Sequence, residues 1–132
     1  MASQLSLKIG LLALCVGLSG CERQVSFAND VQPILREHCA ECHNQAGEGE
    51  SASGFSVRDY NSVMSGTKYG QVIVPGSSIS SSLYLMIAEK TAPEIRMPPH
   101  HDESLAAGRG VPLTEDKIET IQLWIDQGAK DN

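Results

Sequence analysis

Two cysteines and a histidine within five consecutive positions constrain this chain more than any other feature of its sequence. The stretch Cys39-Ala-Glu-Cys42-His43 has the C-x-x-C-H pattern of covalent haem attachment. On a helical turn, Cys39 and Cys42 project the same way, so each can form a thioether bond to one of two neighbouring vinyl groups. His43 then lies under the porphyrin plane, where its imidazole can bind iron as the proximal ligand. The motif therefore predicts one haem c, held covalently.

Two other sites could use the same three residues. A zinc site needs a fourth ligand; His38, His100 and His101 are available, but the sequence has no second C-x-x-C pair. A thioredoxin-like redox pair would have a βαβ pattern around it, and none is found. A zinc-dependent binding module remains the alternative, and it would give a colourless protein.

Residues 1–20 have the features of an export signal. A weakly basic start with Lys8 is followed by an apolar run from Ile9 to Leu18. This run is shorter than the roughly 20 apolar residues that a membrane-spanning helix needs. We therefore expect the segment to be removed on export.

The sequence LSGC at residues 18–21 resembles the bacterial lipobox, in which the cysteine is lipidated and becomes the mature N-terminus. The small residues before Cys21 favour lipidation over an ordinary signal that leaves this cysteine unmodified. Acyl chains would anchor the protein firmly, because each buried methylene contributes about 0.8 kcal/mol. We expect a signal peptide over 1–20, a lipidated tether over 21–26 and one domain over 27–132.

Export also decides how the cysteines are interpreted, because unprotected pairs tend to become disulfides in an oxidising compartment. Cys15 leaves with the signal, Cys21 takes lipid, and the other two cysteines belong to the haem motif. No free thiol then remains.

The charge of the mature chain disfavours nucleic acid as a partner. Loss of Lys8 with the signal leaves 9 basic residues against 16 acidic ones, a balance of −7. Such a surface repels phosphate backbones. It favours a redox partner protein with a basic docking face, unless these charges serve only to keep the protein soluble.

Apolar spacing predicts a small all-α domain. A first helix around 31–39, capped by Asn29 or Asp30, would carry the motif at its C-terminal end. Residues 44–54 lack large apolar side chains and are predicted to form a loop. Further helices are expected around 57–64 with a stop at Gly66, at 80–89, and after Thr114 with a stop at Gly128. Residues 71–74 should be strand-like or simply extended, and 91–112 irregular. Trp124 is expected in the core, packed toward the first helix, although its indole could also donate to a haem propionate.

Met97 is the candidate for the second axial ligand. It precedes Pro98-Pro99, and a residue before proline is steered out of the helical region. Met97 should therefore lie on an extended, stiff loop that can present its sulfur to iron. Met64 and Met86 lie on apolar helical faces, where methionine usually fills a core.

The second axial position has alternatives. His100 and His101 could bind iron in place of the methionine, or the position could be open. His38, next to the motif, is expected to be a solvated helix residue.

Five stretches resemble the planctomycete-type cytochrome c domain, a relative of the class I cytochromes c. In chain order they are FANDVQPILREHCAECH, VPGSS, SLYLMI, RMPPH and LTEDKIETIQLWIDQGA. The resemblance runs from about Phe27 to Ala129, and its most specific parts are the C-x-x-C-H and Met-Pro-Pro elements. It implies a helical fold whose N- and C-terminal helices cross beside the haem, and it implies electron transfer.

The resemblance also implies that Cys39 and Cys42 hold the haem, that His43 is the proximal ligand and that Met97 is the distal one. We therefore expect a small cytochrome c-like helical domain around one haem. It should act as an electron carrier rather than an enzyme, lipid-anchored on the periplasmic side of a bacterial membrane, with a membrane-associated redox partner. The alternative is a haem enzyme or gas sensor, for peroxide reduction or ligand binding, which needs an open or displaceable sixth position.

Overall fold

The described part of the chain is helical. A computed structural model describes residues 23–45, 47–99 and 110–132. Within these ranges no β-strand is formed, and the expected all-α fold is confirmed. The elements in chain order are the π-helical turn Phe27–Val31, α1 Gln32–His38, α2 Glu48–Ser53, α3 Tyr60–Ser65, the 3-10 turn Ser78–Ser80, α4 Ser82–Ile87, the 3-10 turn Pro93–Ile95 and α5 Glu115–Asp126.

The first helical segment begins earlier than predicted. Ser26 precedes its first turn, and the Ser26 hydroxyl accepts a hydrogen bond from Asn29 N at 3.2 Å. In return Ser26 N donates to the Asp30 carboxylate at 2.8 Å, which keeps the pKa of that carboxyl below its usual range. The pair works as a capping box. The predicted cap at Asn29 or Asp30 is therefore wrong. Pro33 lies in the first turn of α1, where its missing N–H costs no hydrogen bond.

Trp124 lies at the centre of the core. It is 1% exposed, and its ring centroid lies 5.3 Å from that of Phe27 and 6.4 Å from that of Tyr60. The indole N–H donates to Lys130 O at 2.9 Å, so the buried polar atom is satisfied. The predicted packing of Trp124 toward the first helical segment is confirmed.

The first and last helices run antiparallel. At the beginning of α5, Lys117 Nζ lies 2.6 Å from His38 Nε2 and 3.3 Å from Glu37 Oε2, both at the end of α1. Just after α5, the Gln127 side chain bonds the backbone that precedes the first turn. The haem motif therefore lies near the beginning of α5. His38 is only 18% exposed, so the prediction of a solvated side chain is wrong.

Helix α2 falls where a loop was predicted. It carries no buried residue, so it leaves no apolar periodicity in the sequence. Its two first-turn carboxylates suit the positive end of the helix dipole. Gly54 ends it in a left-handed conformation, with φ of 79°. The loop prediction is therefore wrong for Glu48–Ser53.

The remaining helices are close to expectation. Asp59 caps α3 by accepting from Ser62 N at 2.8 Å, and Gly66 follows its last turn. Helix α4 is shorter than the predicted 80–89 at both ends. A separate 3-10 turn precedes its start, and Glu89, just beyond its end, has a positive φ of 56°. Thr114 precedes α5 as expected, but its side chain makes no capping bond to the backbone. No helix in the described ranges is both long and apolar enough to cross a membrane.

Candidate haem site

One cavity brings the predicted haem residues together. It has a volume of about 370 Å³ and lies between the end of α1, helix α2 and the chain around Met97. Its walls are mostly apolar. The lining residues are His38, Cys39, Glu41, Cys42, His43, Glu48, Gly49, Ala52, Met97, Pro98, Pro99 and Gly110. Both motif cysteines, the motif histidine and Met97 therefore share one cavity, while Cys21, His100 and His101 lie outside the described residues.

The motif continues the helical path beyond the end of α1. Cys39 N donates to Leu35 O at 2.9 Å, and His43 N donates to Cys39 O at 2.8 Å. Cys39 and Cys42 are therefore one turn apart, with no disulfide between them. Burial, with a smaller contribution from Cys42, raises the pKa of the Cys39 thiol to about 12. Burial of this sulfur against the apolar wall therefore disfavours its thiolate form.

The ring of His43 is held from behind by a backbone carbonyl. Its Nδ1 lies 3.1 Å from Phe55 O, and a carbonyl oxygen can only accept. The proton is therefore on Nδ1, which leaves the lone pair of Nε2 for a metal. Val57 N also donates to His43 O at 2.9 Å, so the same segment fixes both the backbone and the ring.

Two glycines allow α2 to approach the motif. A Cβ on Gly47 would lie 2.3 Å from Cys42 O, and one on Gly49 would lie 2.7 Å from Cε1 of the His43 ring. Glu50 N completes the contact by donating to Cys42 O at 2.9 Å. Only residues without side chains fit at these two positions. The sequence analysis did not predict this close packing of α2 against the motif. The only sign of it in the sequence is the spacing of the two glycines.

Gly47→Ala should lower the free energy of unfolding by about 1–3 kcal/mol, the usual range for overpacking. The φ of Gly47 is −71°, which alanine adopts freely, so the cost would come from the contact with the Cys42 backbone. Denaturant unfolding of the purified variant measures it. The matched control is Ser51→Ala on the exposed side of α2, and equal stability of the two variants would contradict the close approach.

The chain around Met97 is pinned to the end of α4. Met97 N donates to Met86 O at 3.3 Å, and the Met97 side chain is partly buried against the core. The neighbouring Arg96 donates to Thr91 O and pairs with Glu89, both at 3.3 Å. Met97 therefore reaches the cavity from a held segment.

The other two methionines in the described ranges differ in position. Met64 packs against the core, as predicted. Met86 lies on α4, where it is half-buried, and it is not among the residues that line the cavity. Among the methionines in the described ranges, Met97 is the one that lines the cavity.

The lining of this cavity fits a haem c. Two thiols one turn apart, an imidazole with a free Nε2 and a thioether on a mostly apolar wall are the donors that such a group uses. Within the ranges that the structure describes, no three His, Cys, Asp or Glu side chains form a group that could hold a metal ion. His43 and Met97 are the residues of this lining that could bind the haem iron.

Comparisons with known proteins agree with this description. Residues 39–101 match the family model of Planctomycete cytochrome C, which confirms the resemblance predicted from the sequence. Hydrazine synthase subunit alpha from Kuenenia stuttgartiensis is 28% identical over an alignment that covers 83% of this chain and 16% of that protein. This chain thus spans less than a fifth of that relative. No solved structure matches. The family match indicates a haem-binding cytochrome c domain with covalently bound haem.

Proposed function

We propose that this protein is a monohaem electron carrier whose haem is attached through Cys39 and Cys42 and ligated by His43 and Met97. The observation that carries the proposal is the shared cavity, since Met97 comes from a chain segment remote from the motif. Haem c, when bound, supplies reversible one-electron chemistry at its iron. With a protein ligand on each side, no coordination position is left for a substrate.

The surrounding residues support a fixed ligand geometry. The Phe55 carbonyl orients His43 through its Nδ1 proton and makes Nε2 the better ligand. The contact between Met97 N and Met86 O holds the opposite side. Ligands that are held in this way change little between oxidation states, which suits electron transfer better than ligand exchange.

The test is carbon monoxide added to the ferrous haem protein. A haem held by His43 and Met97 should show little change in its absorption spectrum, because the sixth position is filled. Rapid and complete binding would contradict the proposal and support the alternative, a haem enzyme or gas sensor. That alternative has one observation in its favour, since the relative that aligns with most of this chain is named as a subunit of a synthase.

We also propose that lipid on Cys21 anchors the protein at the periplasmic side of a bacterial membrane, within reach of a redox partner. The support is the lipobox-like LSGC sequence at residues 18–21. Cys21→Ser should move the protein from the membrane fraction to the soluble periplasmic fraction. Cys15→Ser is the matched control, because that residue would leave with the signal; membrane retention of Cys21→Ser would show that the anchor is elsewhere.

A further inference from the structure

We propose that one end of the domain rests on the lipid bilayer and that the haem cavity is held at the opposite end. The anchor end, as we call it, consists of Arg23, Val74, Ile79 and Lys130. This inference rests on the lipid anchor proposed above, and it adds an orientation that the anchor alone does not define.

The link between Cys21 and the folded domain is short. Gln127 Oε1 accepts from Val25 N at 2.8 Å, and its Nε2 donates to Arg23 O at 3.2 Å. Val25 is buried, so residues 23–26, which the sequence places in the tether, are held against the end of α5. Only one residue separates Cys21 from Arg23, a span of at most about 7 Å. A lipidated Cys21 would therefore hold Arg23 close to the bilayer surface.

The backbone where the tether enters the domain is held in place by Asn132. The Asn132 side chain accepts from Phe27 N at 2.9 Å and donates to Val25 O at 3.3 Å. Its backbone carbonyl accepts from the Ser26 hydroxyl at 2.7 Å. These bonds add to those of Gln127. The tether can therefore leave the domain only from this end.

Exposed apolar side chains lie beside the point where the tether enters the domain. Ile79 is 75% exposed and Val74 is 42% exposed. Their loop is tied to the end of α5, because Ser78 N donates to Asp126 Oδ1 at 2.7 Å and Gly76 N donates to Ile125 O at 2.8 Å. The apolar loop and the tether thus share one end of one helix. A bilayer would cover side chains that the described residues leave in water.

Charge at the anchor end is mixed. Arg23 and Lys130 are exposed there, but Arg23 pairs with Asp30 at 2.7 Å. The carboxylates of Asp126 and Asp131 are exposed at the same end. Anionic headgroups attract the cations and repel the carboxylates. The orientation therefore rests on the tether and the apolar loop and not on charge.

The haem cavity lies at the other end. His38 lines the cavity and contacts Lys117 at the beginning of α5, whereas Gln127 holds the tether just after its end. The ten residues from one position to the other span about 15 Å along the helix. The cavity is thus held above the bilayer. A partner protein would reach it from the aqueous side, and a small carrier dissolved in the lipid would not.

Photo-crosslinking of the full-length haem protein in its native membrane tests this orientation. Ile79→p-benzoylphenylalanine should give lipid adducts on irradiation, detected by mass spectrometry. Glu115→p-benzoylphenylalanine, exposed at the beginning of α5 on the cavity end of the domain, is the control and should give none. The haem absorption spectrum shows that each variant is folded, and Val74→p-benzoylphenylalanine replaces the first variant if that one does not mature. Protein adducts instead of lipid adducts at the loop, or equal lipid adducts at both ends, would overturn the orientation.

The same samples separate this inference from its premise. The mass of the N-terminal peptide reports whether Cys21 carries lipid. An unmodified Cys21 would refute the anchor and the orientation together. A lipidated Cys21 without lipid adducts at Ile79 or Val74 would refute the orientation alone and leave the anchor in place.

Discussion

Met97→Ala should abolish the sulfur-to-iron charge-transfer band of the ferric haem and lower its reduction potential on the order of a tenth of a volt, within the roughly 0.8 V that axial ligands span. A thioether is a soft ligand that favours ferrous iron, so its loss favours the oxidised state. The variant should also bind carbon monoxide readily. Absorption spectra and a potentiometric titration measure all three effects. Met97→His should restore six-coordination without restoring the potential.

The controls for this prediction are the other candidate residues. Met86→Ala should keep the band, because Met86 is not among the residues that line the cavity. His100→Ala and His101→Ala should keep it as well. If Met97→Ala retained the native spectrum while one of the histidine variants lost it, the protein would be a bis-histidine cytochrome of lower potential.

The sequence predicted those parts of the fold that bury apolar side chains. Helix α5 was placed within a residue or two because Ile121, Trp124 and Ile125 recur at helical spacing and are all buried. Helix α2 was missed because nothing in it is buried. It is held by hydrogen bonds and by the close approach of Gly47, which periodicity does not register.

The candidate site was predictable only where side chains carry the chemistry. The C-x-x-C-H motif and Met97 could be named because their sulfur atoms and imidazole belong to particular residue types, which the sequence states directly. The group that accepts the His43 Nδ1 proton could not be named from the sequence, because it is the backbone carbonyl of Phe55, and any residue type would supply such a carbonyl. His38 was misjudged for a related reason: its contact, Lys117, lies on a helix that only the fold brings near.

Trp124→Ala should lower the free energy of unfolding by about 3–5 kcal/mol, the usual range for a buried aromatic residue. Trp124 fills the space between the first and last helical segments, where it contacts the rings of Phe27 and Tyr60. Small domains are stable by about 5–15 kcal/mol, so this loss would be a large fraction of the total. Denaturant unfolding of the haem-loaded protein measures it, with Gln122→Ala on the same helix as the control.

Trp124→Phe separates the two contributions of this side chain. Phenylalanine keeps part of the ring packing but leaves the Lys130 carbonyl without the indole donor. Its stability should therefore lie between those of the native protein and Trp124→Ala. Without denaturant both variants should keep the Met97-dependent charge-transfer band, because the indole donates to Lys130 O and Trp124 does not line the cavity. Loss of the band in Trp124→Phe, with stability unchanged, would instead assign Trp124 to the haem and not to the core.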